Sequence, residues 1–166
     1  PADQPVIFVP DRYLGRFVQR HTGRDNMIIW DGFCPTHARL DPETIRNARA
    51  EHPDAEVMVH PECTPEAQDE ADHVISTGQM CDLVETTTCK KFLVGTEEGI
   101  LHTLRKKAPH IEFISLSPSL VCFNMKKTTV AKVIDALRSG EPRITVPPAI
   151  ADQARRAIQA MLDVAG

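Results

Sequence analysis

Short apolar runs alternate with amphipathic segments along most of this sequence. The apolar runs cover residues 5–9, 27–30, 56–59, 91–94 and 111–116. Between the first two runs, Tyr13, Leu14 and Phe17 recur at the spacing of an amphipathic helix. Strands that alternate with helices in this way predict an α/β fold with a parallel sheet.

Helix start and stop signals mark the boundaries of these segments. Asp11 is a predicted N-cap, and Gly23 ends the first helix. Two later helices begin with a capping residue, a proline and an acid, at residues 41–43 and 64–66. The second of these is predicted to reach about Val74. Further helices are expected over residues 79–84, 128–137 and 150–164, and after Thr96 and Glu97, which we interpret as a capping site.

Composition narrows the class of protein. The 166 residues are 42% hydrophobic and 25% charged, with a formal net charge of −4, which is typical of a globular protein without a basic nucleic-acid surface. No segment has the apolar length of a membrane span. The first residues do not resemble a signal peptide, and the five cysteines are widely spaced. We therefore expect a cytoplasmic protein, with no nucleic acid or membrane as a partner.

Reactive side chains follow two of the apolar runs directly. Cys34 and His37 form a C-x-x-H pair after one run, and His60 and Cys63 form an H-x-x-C pair after another. Ligands bind beyond the carboxyl ends of parallel strands, so these pairs are expected to converge. Two cysteines and two histidines could bind zinc in a tetrahedral site. A non-catalytic zinc-binding α/β module is therefore one hypothesis.

A further thiol, Cys122, follows the last apolar run in an irregular segment. Together with Cys34 it would suit an iron–sulfur cluster, which prefers thiolate ligands. Cys81 and Cys89 lie in helical or strand-adjacent patterns and are interpreted as small buried side chains.

Two other positions allow both a chemical and a structural interpretation. Glu62, close to His60, could form an acid–base pair with it, or could be a surface carboxylate at a helix entrance. Ser76 and Thr77 precede a predicted helix. They could bind a carboxylate or phosphate with hydroxyl and backbone N–H groups, or form an ordinary N-cap.

Taken together, these motifs resemble the quinolinate synthase family of bacterial NAD biosynthesis. They occur in the family's order over nearly the whole chain. The matching segments are Pro10-Asp11 with Leu14-Gly15, W-D-G-F-C-P-T-H at 30–37, H-P-E-C at 60–63, Ala71-Asp72, Ser76-Thr77, G-T-E-E-G-I at 95–100 and C-F-N-M-K at 122–126.

The resemblance implies three-layer αβα units with short parallel sheets, within a pseudo-threefold triplicated fold. It places this chain in the C-terminal half of the family. Residues 1–36 would then be the C-terminal part of the second domain, and residues 37–121 the third. Residues 122–166 would be terminal helices that complete the first domain.

The resemblance also implies an activity and a cofactor. Family members condense iminoaspartate with dihydroxyacetone phosphate to quinolinate, releasing phosphate and water. They bind a four-iron four-sulfur cluster through three cysteines and use its open iron as a Lewis acid. Cys34 and Cys122 match two of these ligands, and the third would lie in the missing N-terminal half. Cys63 matches a family residue that is not a ligand.

The remaining matches concern the substrates. His37, His60 and Glu62 match active-site residues, with Glu62 as the proton shuttle and with His60 and Glu62 contacting substrate. Ser76 and Thr77 match residues that bind anionic groups. L-aspartate oxidase is the implied supplier of iminoaspartate, and without the missing half this chain is expected to be an incomplete, inactive transferase.

Overall fold

A computed structural model describes residues 3–165 of the chain. These residues form two units, one that ends at Cys122 and one that begins at Phe123. All six strands of the described part lie in the first unit, whereas the second is helical.

Strands and helices alternate through the first unit, and every strand pair in it is parallel. The strands are β1 (Val6–Phe8), β2 (Met27–Ile29), β3 (Glu56–Val59), β4 (His73–Val74), β5 (Lys91–Gly95) and β6 (Glu112–Ser115). The helices are α1 (Arg12–Thr22), α2 (Pro42–Glu51), α3 (Pro65–Asp69), α4 (Thr77–Thr86) and α5 (Ile100–Lys107). The predicted α/β class is therefore confirmed.

Strands β1 and β2 form a two-stranded sheet that α1 covers on one face. The helix comes close because Gly15 has no side chain: a Cβ there would lie 2.9 Å from Ile29 Cγ2. On the other face, Ile7 and Ile28 are 72% and 58% exposed. Parallel sheets are normally covered on both faces, whereas within residues 3–122 this sheet carries a packed layer on one face.

The larger sheet has four strands in the order β4-β3-β5-β6 and is covered on both faces. Val57 and Leu93 belong to one buried cluster, and Met58 and Phe92 belong to another. This alternation follows from the period of two in a strand. Helices α2 and α3 contribute to the first cluster, and α4 and α5 to the second. The result is the predicted three-layer αβα arrangement with a short parallel sheet.

One predicted element is wrong. The helix expected to reach about Val74 ends at Asp69, and His73–Val74 is instead a strand that pairs with Met58 and Val59. Asp72 is the physical reason, since its carboxylate accepts a hydrogen bond from the Val57 amide at 2.7 Å. The Asp72 amide donates back to the Val57 carbonyl at 3.0 Å, which attaches this segment to β3.

The second unit contains helices α6 (Val130–Ser139) and α7 (Pro148–Ala165), close to the two predicted terminal helices. Thr129 caps the start of α6, and Gly140 ends it with a φ of 68°. Among residues 3–165, none of the helices combines the length and apolar character needed to cross a membrane. The threefold arrangement and the domain boundaries at residues 36 and 121 stay predictions.

Candidate functional site

The site is built at the carboxyl edge of the four-stranded sheet. Strand β3 ends at Val59 and leads into His60, and its neighbour β5 ends at Gly95 and leads into Thr96. The backbone N–H of His60 donates to the Gly95 carbonyl at 3.2 Å. This bond continues the ladder by one residue and fixes the direction in which the His60 loop leaves the sheet.

His37 joins the two strand ends. Its side chain is buried at the start of a 3₁₀ turn (His37–Arg39) and bonds on both sides of the ring. Nδ1 lies 2.9 Å from Glu62 Oε2, and Nε2 lies 2.9 Å from Thr96 Oγ1. A carboxylate only accepts hydrogen bonds, so Nδ1 donates to Glu62. When the ring is neutral, Nε2 then accepts from the Thr96 hydroxyl.

His60 stacks on His37, with ring centroids 4.4 Å apart. Burial, and next the neighbouring His37, lowers the pKa of His60 to about 4. Its Nδ1 accepts the backbone N–H of Glu62 at 3.2 Å, which leaves the ring proton on Nε2. The 3.8 Å approach of His60 Nδ1 to Glu62 Oε2 is therefore not an ion pair at neutral pH.

Glu62 is the carboxylate of the cluster. The hydrogen bond from His37 lowers the pKa of Glu62, while burial acts in the opposite direction. Its side chain stays 23% exposed, so it is an ionised group that solvent or a ligand can reach. An ionised carboxylate beside a neutral imidazole can accept one proton while the imidazole donates a hydrogen bond.

Cys34 completes a group of metal-ligand types. Its sulfur, a ring nitrogen of His37 and an oxygen of Glu62 all lie within 4.8 Å of one another. Cys122, the other thiol interpreted as a ligand, follows β6 and is partly exposed, and its backbone N–H bonds to Glu97. Both of these cysteines lie on loops and are outside any disulfide.

The zinc set predicted from the sequence is Cys34, His37, His60 and Cys63. Among the described residues, Cys34 and His37 of this set belong to the group of metal-ligand types, and His60 and Cys63 do not. The Cys63 side chain is fully buried, packs in the core and donates its thiol proton toward the Gly95 carbonyl at 3.5 Å. Burial raises the pKa of Cys63 to about 12, so it stays a thiol. Glu62, rather than His60 or Cys63, completes the group with Cys34 and His37.

Ser76 and Thr77 lie at the same edge of the sheet, just beyond β4. Ser76 is the N-cap of α4, and its hydroxyl accepts from the Gln79 amide at 3.3 Å in a reciprocal capping box with the Gln79 side chain. The N-cap interpretation is confirmed, and the anion-binding role of the pair stays a prediction.

Thr96 is a site residue that the sequence pattern missed. We interpreted Thr96 and Glu97 as a helix cap, but α5 begins at Ile100 with Gly99 as its N-cap. Thr96 is buried, and its hydroxyl is hydrogen-bonded to Nε2 of His37. The signal was available in the sequence, since Thr96 follows a buried strand just as His60 does.

The pH dependence of folding should report the state of His60. In the unfolded chain His60 has its ordinary pKa of 6.5, whereas in the folded chain the value is about 4. The unfolded state therefore binds more protons between these values, and stability present above pH 6.5 is lost as the pH falls through 4. We expect urea unfolding to give a free energy about 2 kcal/mol lower at pH 4 than at pH 7, after allowance for solvent screening.

A matched pair of variants tests this assignment. His60→Gln should flatten the slope between pH 6.5 and 4, whereas His102→Gln, which removes an exposed histidine of α5, should keep it. The lowered pKa of Glu62 also makes the folded chain less stable as the pH falls, but this contribution is lost only below the ordinary pKa of 4.5. An unchanged slope in His60→Gln would contradict the neutral state of His60.

The fold and this site define an α/β protein of the enzyme type, with acid–base and metal-ligand side chains at the carboxyl edge of a parallel sheet. A family model described as "Quinolinate synthetase A protein" matches residues 1–163. The chain belongs to this family.

Curated relatives support the same assignment. A protein of Methanoregula boonei named quinolinate synthase is 51% identical over 161 residues, which cover 97% of this chain and 53% of the relative. Proteins of the same name from Geobacter metallireducens and Geotalea uraniireducens are 45% and 44% identical over 162 residues, covering 98% of this chain and 53% of each relative. The chain thus spans about half the length of the curated relatives it matches.

Proposed function

We propose that this chain is the C-terminal portion of a quinolinate synthase, a transferase of NAD biosynthesis. The whole protein would condense iminoaspartate with dihydroxyacetone phosphate to quinolinate and release phosphate and water. The observation that carries the proposal is the convergence of Cys34, His37 and Glu62 within 4.8 Å in a chain of this family.

The residues present fit the four-iron four-sulfur cluster that the family implies. Cys34 and Cys122 lie on loops after β2 and β6, outside any disulfide, and both would be ligands. The third cysteine would come from the half of the protein outside this chain. When bound, the cluster would supply Lewis acidity at an iron without a protein ligand.

Proton transfer would fall to this chain's own residues. Glu62 would accept a proton from the substrate, because it is an ionised carboxylate that solvent can reach. His37 holds that carboxylate through Nδ1 and is itself held by Thr96. His60 would donate a hydrogen bond from Nε2 to a substrate oxygen, because its Nδ1 is occupied by the Glu62 amide.

Binding of anionic groups would fall to the start of α4. The first amides of a helix favour negative charge, and Ser76 and Thr77 add two hydroxyl groups there. A carboxylate of iminoaspartate or the phosphate of dihydroxyacetone phosphate has the charge that this position favours.

Two further parts of the proposal concern the surroundings of the enzyme. L-aspartate oxidase would supply iminoaspartate, and the half of the protein outside this chain would complete the site. The cytoplasm would be the location. The five cysteines support this, because they form no disulfide among the described residues and reducing conditions keep disulfides from forming.

A fusion protein tests the proposal. The part of the Methanoregula boonei relative that this chain does not match is joined ahead of Pro1, and the product is reconstituted anaerobically with iron and sulfide. We expect about four iron atoms per protein, a broad visible absorption and quinolinate formation from the two substrates. One tightly held zinc per protein, kept in air, without iron uptake or quinolinate, would contradict the proposal and favour a zinc-binding module.

A further inference from the structure

Asp11 is a buried carboxylate that bonds to the loop of Cys34. It is 1% exposed, and its Oδ2 accepts the backbone N–H of Cys34 at 2.7 Å. Its other oxygen, Oδ1, accepts the amides of Tyr13 and Leu14 at 2.7 and 3.0 Å and so caps α1. One side chain thus fixes both the helix start and the backbone of the cysteine.

Glu97 makes the same pair of contacts for Cys122. It is 8% exposed, and its Oε1 accepts the backbone N–H of Cys122 at 3.3 Å. Its Oε2 accepts the amide of Gly99, the N-cap residue of α5, at 2.8 Å. Again one carboxylate oxygen accepts a hydrogen bond from an amide at the start of a helix, and the other accepts one from the backbone N–H of a cysteine.

The two arrangements have the same order along the chain. In each, a strand leads to the acid, a helix and a second strand follow, and the cysteine comes last. Asp11 precedes Cys34 by 23 residues, and Glu97 precedes Cys122 by 25 residues. The repeat is hidden in the sequence because the two acids differ in type and the two helices differ in their residues.

A helix cap alone does not require a buried charge at either position. Asparagine caps helices about as well as aspartate, and a buried carboxylate is costly unless hydrogen bonds satisfy it. The additional bond in each case goes to the backbone N–H of a cysteine. The bond of Asp11 to Cys34, at 2.7 Å, has the short length of a bond to an ionised acceptor, whereas the bond of Glu97 to Cys122 is longer, at 3.3 Å. Both bonds tie the backbone from which the thiol projects to a buried carboxylate.

We propose that Asp11 and Glu97 are positioning residues that hold the backbones of Cys34 and Cys122 in the orientation needed to bind metal. For the cluster, this inference rests on the proposed function. Residues that orient metal ligands typically change metal affinity by about 10- to 100-fold when they are replaced.

The variants Asp11→Asn and Glu97→Gln separate capping from positioning. Each amide keeps one oxygen for the helix amides and replaces the other oxygen with an NH₂ group, which cannot accept from the cysteine. Asp41→Asn is the matched control, since Asp41 is the exposed N-cap of α2 and its side chain accepts from the amide of Glu43. Thermal unfolding should give a lower midpoint for Asp11→Asn than for the control, because a buried NH₂ group then faces the Cys34 N–H. Metal binding is therefore compared at a temperature at which both variants are folded.

The first measurement uses the reconstituted fusion protein. We expect a chelator to remove iron about 10-fold or more faster from Asp11→Asn and from Glu97→Gln than from the wild type or Asp41→Asn. Glu97→Gln gives an independent test if Asp11→Asn folds poorly. Equal rates of iron loss in a wild type that does hold iron would overturn the inference and leave the proposed function standing.

The second measurement uses the chain itself and cobalt(II). Cobalt(II) bound by Cys34, His37 and Glu62 should give a thiolate absorption band, and Asp11→Asn should raise its dissociation constant about 10-fold or more. If the fusion protein takes up no iron but the cobalt affinity falls as expected, the proposed function fails and the positioning role of Asp11 stands. An unchanged cobalt affinity in Asp11→Asn would overturn that role.

Discussion

Replacing Glu62 with Gln is expected to lower quinolinate formation by the fusion protein by roughly 10²- to 10⁴-fold, the usual effect of losing a general base. The hydrogen bond from His37 lowers the pKa of Glu62, so the wild-type side chain is an ionised carboxylate at neutral pH. Glutamine has the same shape and can still accept from His37, but it cannot take up a proton. The rate of quinolinate formation at saturating substrate is the quantity to measure.

Two companion measurements show whether this loss is specific. Glu66→Gln, at an exposed position in the first turn of α3, changes a nearby glutamate outside the cluster and should leave the rate unchanged. Iron content in Glu62→Gln should stay close to that of the wild type, because the two proposed ligands in this chain are cysteines. A rate within about threefold of the wild type would remove Glu62 from the proton-transfer role, given the size of that effect.

Replacing Cys122 with Ala is expected to remove nearly all of the bound iron and the visible absorption of the fusion protein. A cluster held by three cysteines already has one iron without a protein ligand. Without Cys122, two cysteines would remain to hold it. Iron and sulfide analysis after anaerobic reconstitution and desalting measures the loss. Quinolinate formation should fall with the iron content.

Cys89→Ala is the matched control for this experiment. The thiol of Cys89 donates to the Lys91 carbonyl at 3.1 Å and lies against the core cluster that contains Phe92. Its removal should affect stability slightly and leave the iron content unchanged. Full iron occupancy in Cys122→Ala, or an equal loss in Cys89→Ala, would show that Cys122 is not a ligand.

The α/β class could be predicted because most elements are long enough to show a period of two residues, as in a strand, or of 3.6 residues, as in a helix. Strand β4 could not, since its two residues, His73 and Val74, carry no recognisable period. Its position depends on Asp72, which bonds to the Val57 amide of the neighbouring strand. That contact joins residues 15 positions apart, and no local pattern encodes it.

The sequence by itself determined which reactive residues follow the ends of predicted strands. Cys34 and His37 follow β2 of the two-stranded sheet, and His60 and Glu62 follow β3 of the four-stranded sheet. In each sheet, ligands are expected beyond the carboxyl ends of the strands. The positions of these residues after the strands therefore predicted the region of the site without any knowledge of side-chain directions. Cys63 also follows β3, so its position predicted the same region.

Only the tertiary structure decided which of these side chains point into the site. In the turn after β3, Glu62 turns toward His37, while Cys63 turns into the core beside Gly95. Adjacent residues in such a turn point in different directions, and packing against the neighbouring strand fixes which one is buried. The contact of Thr96 with His37 spans 59 positions and joins the end of β5 to the 3₁₀ turn that follows β2, so no local pattern encodes it.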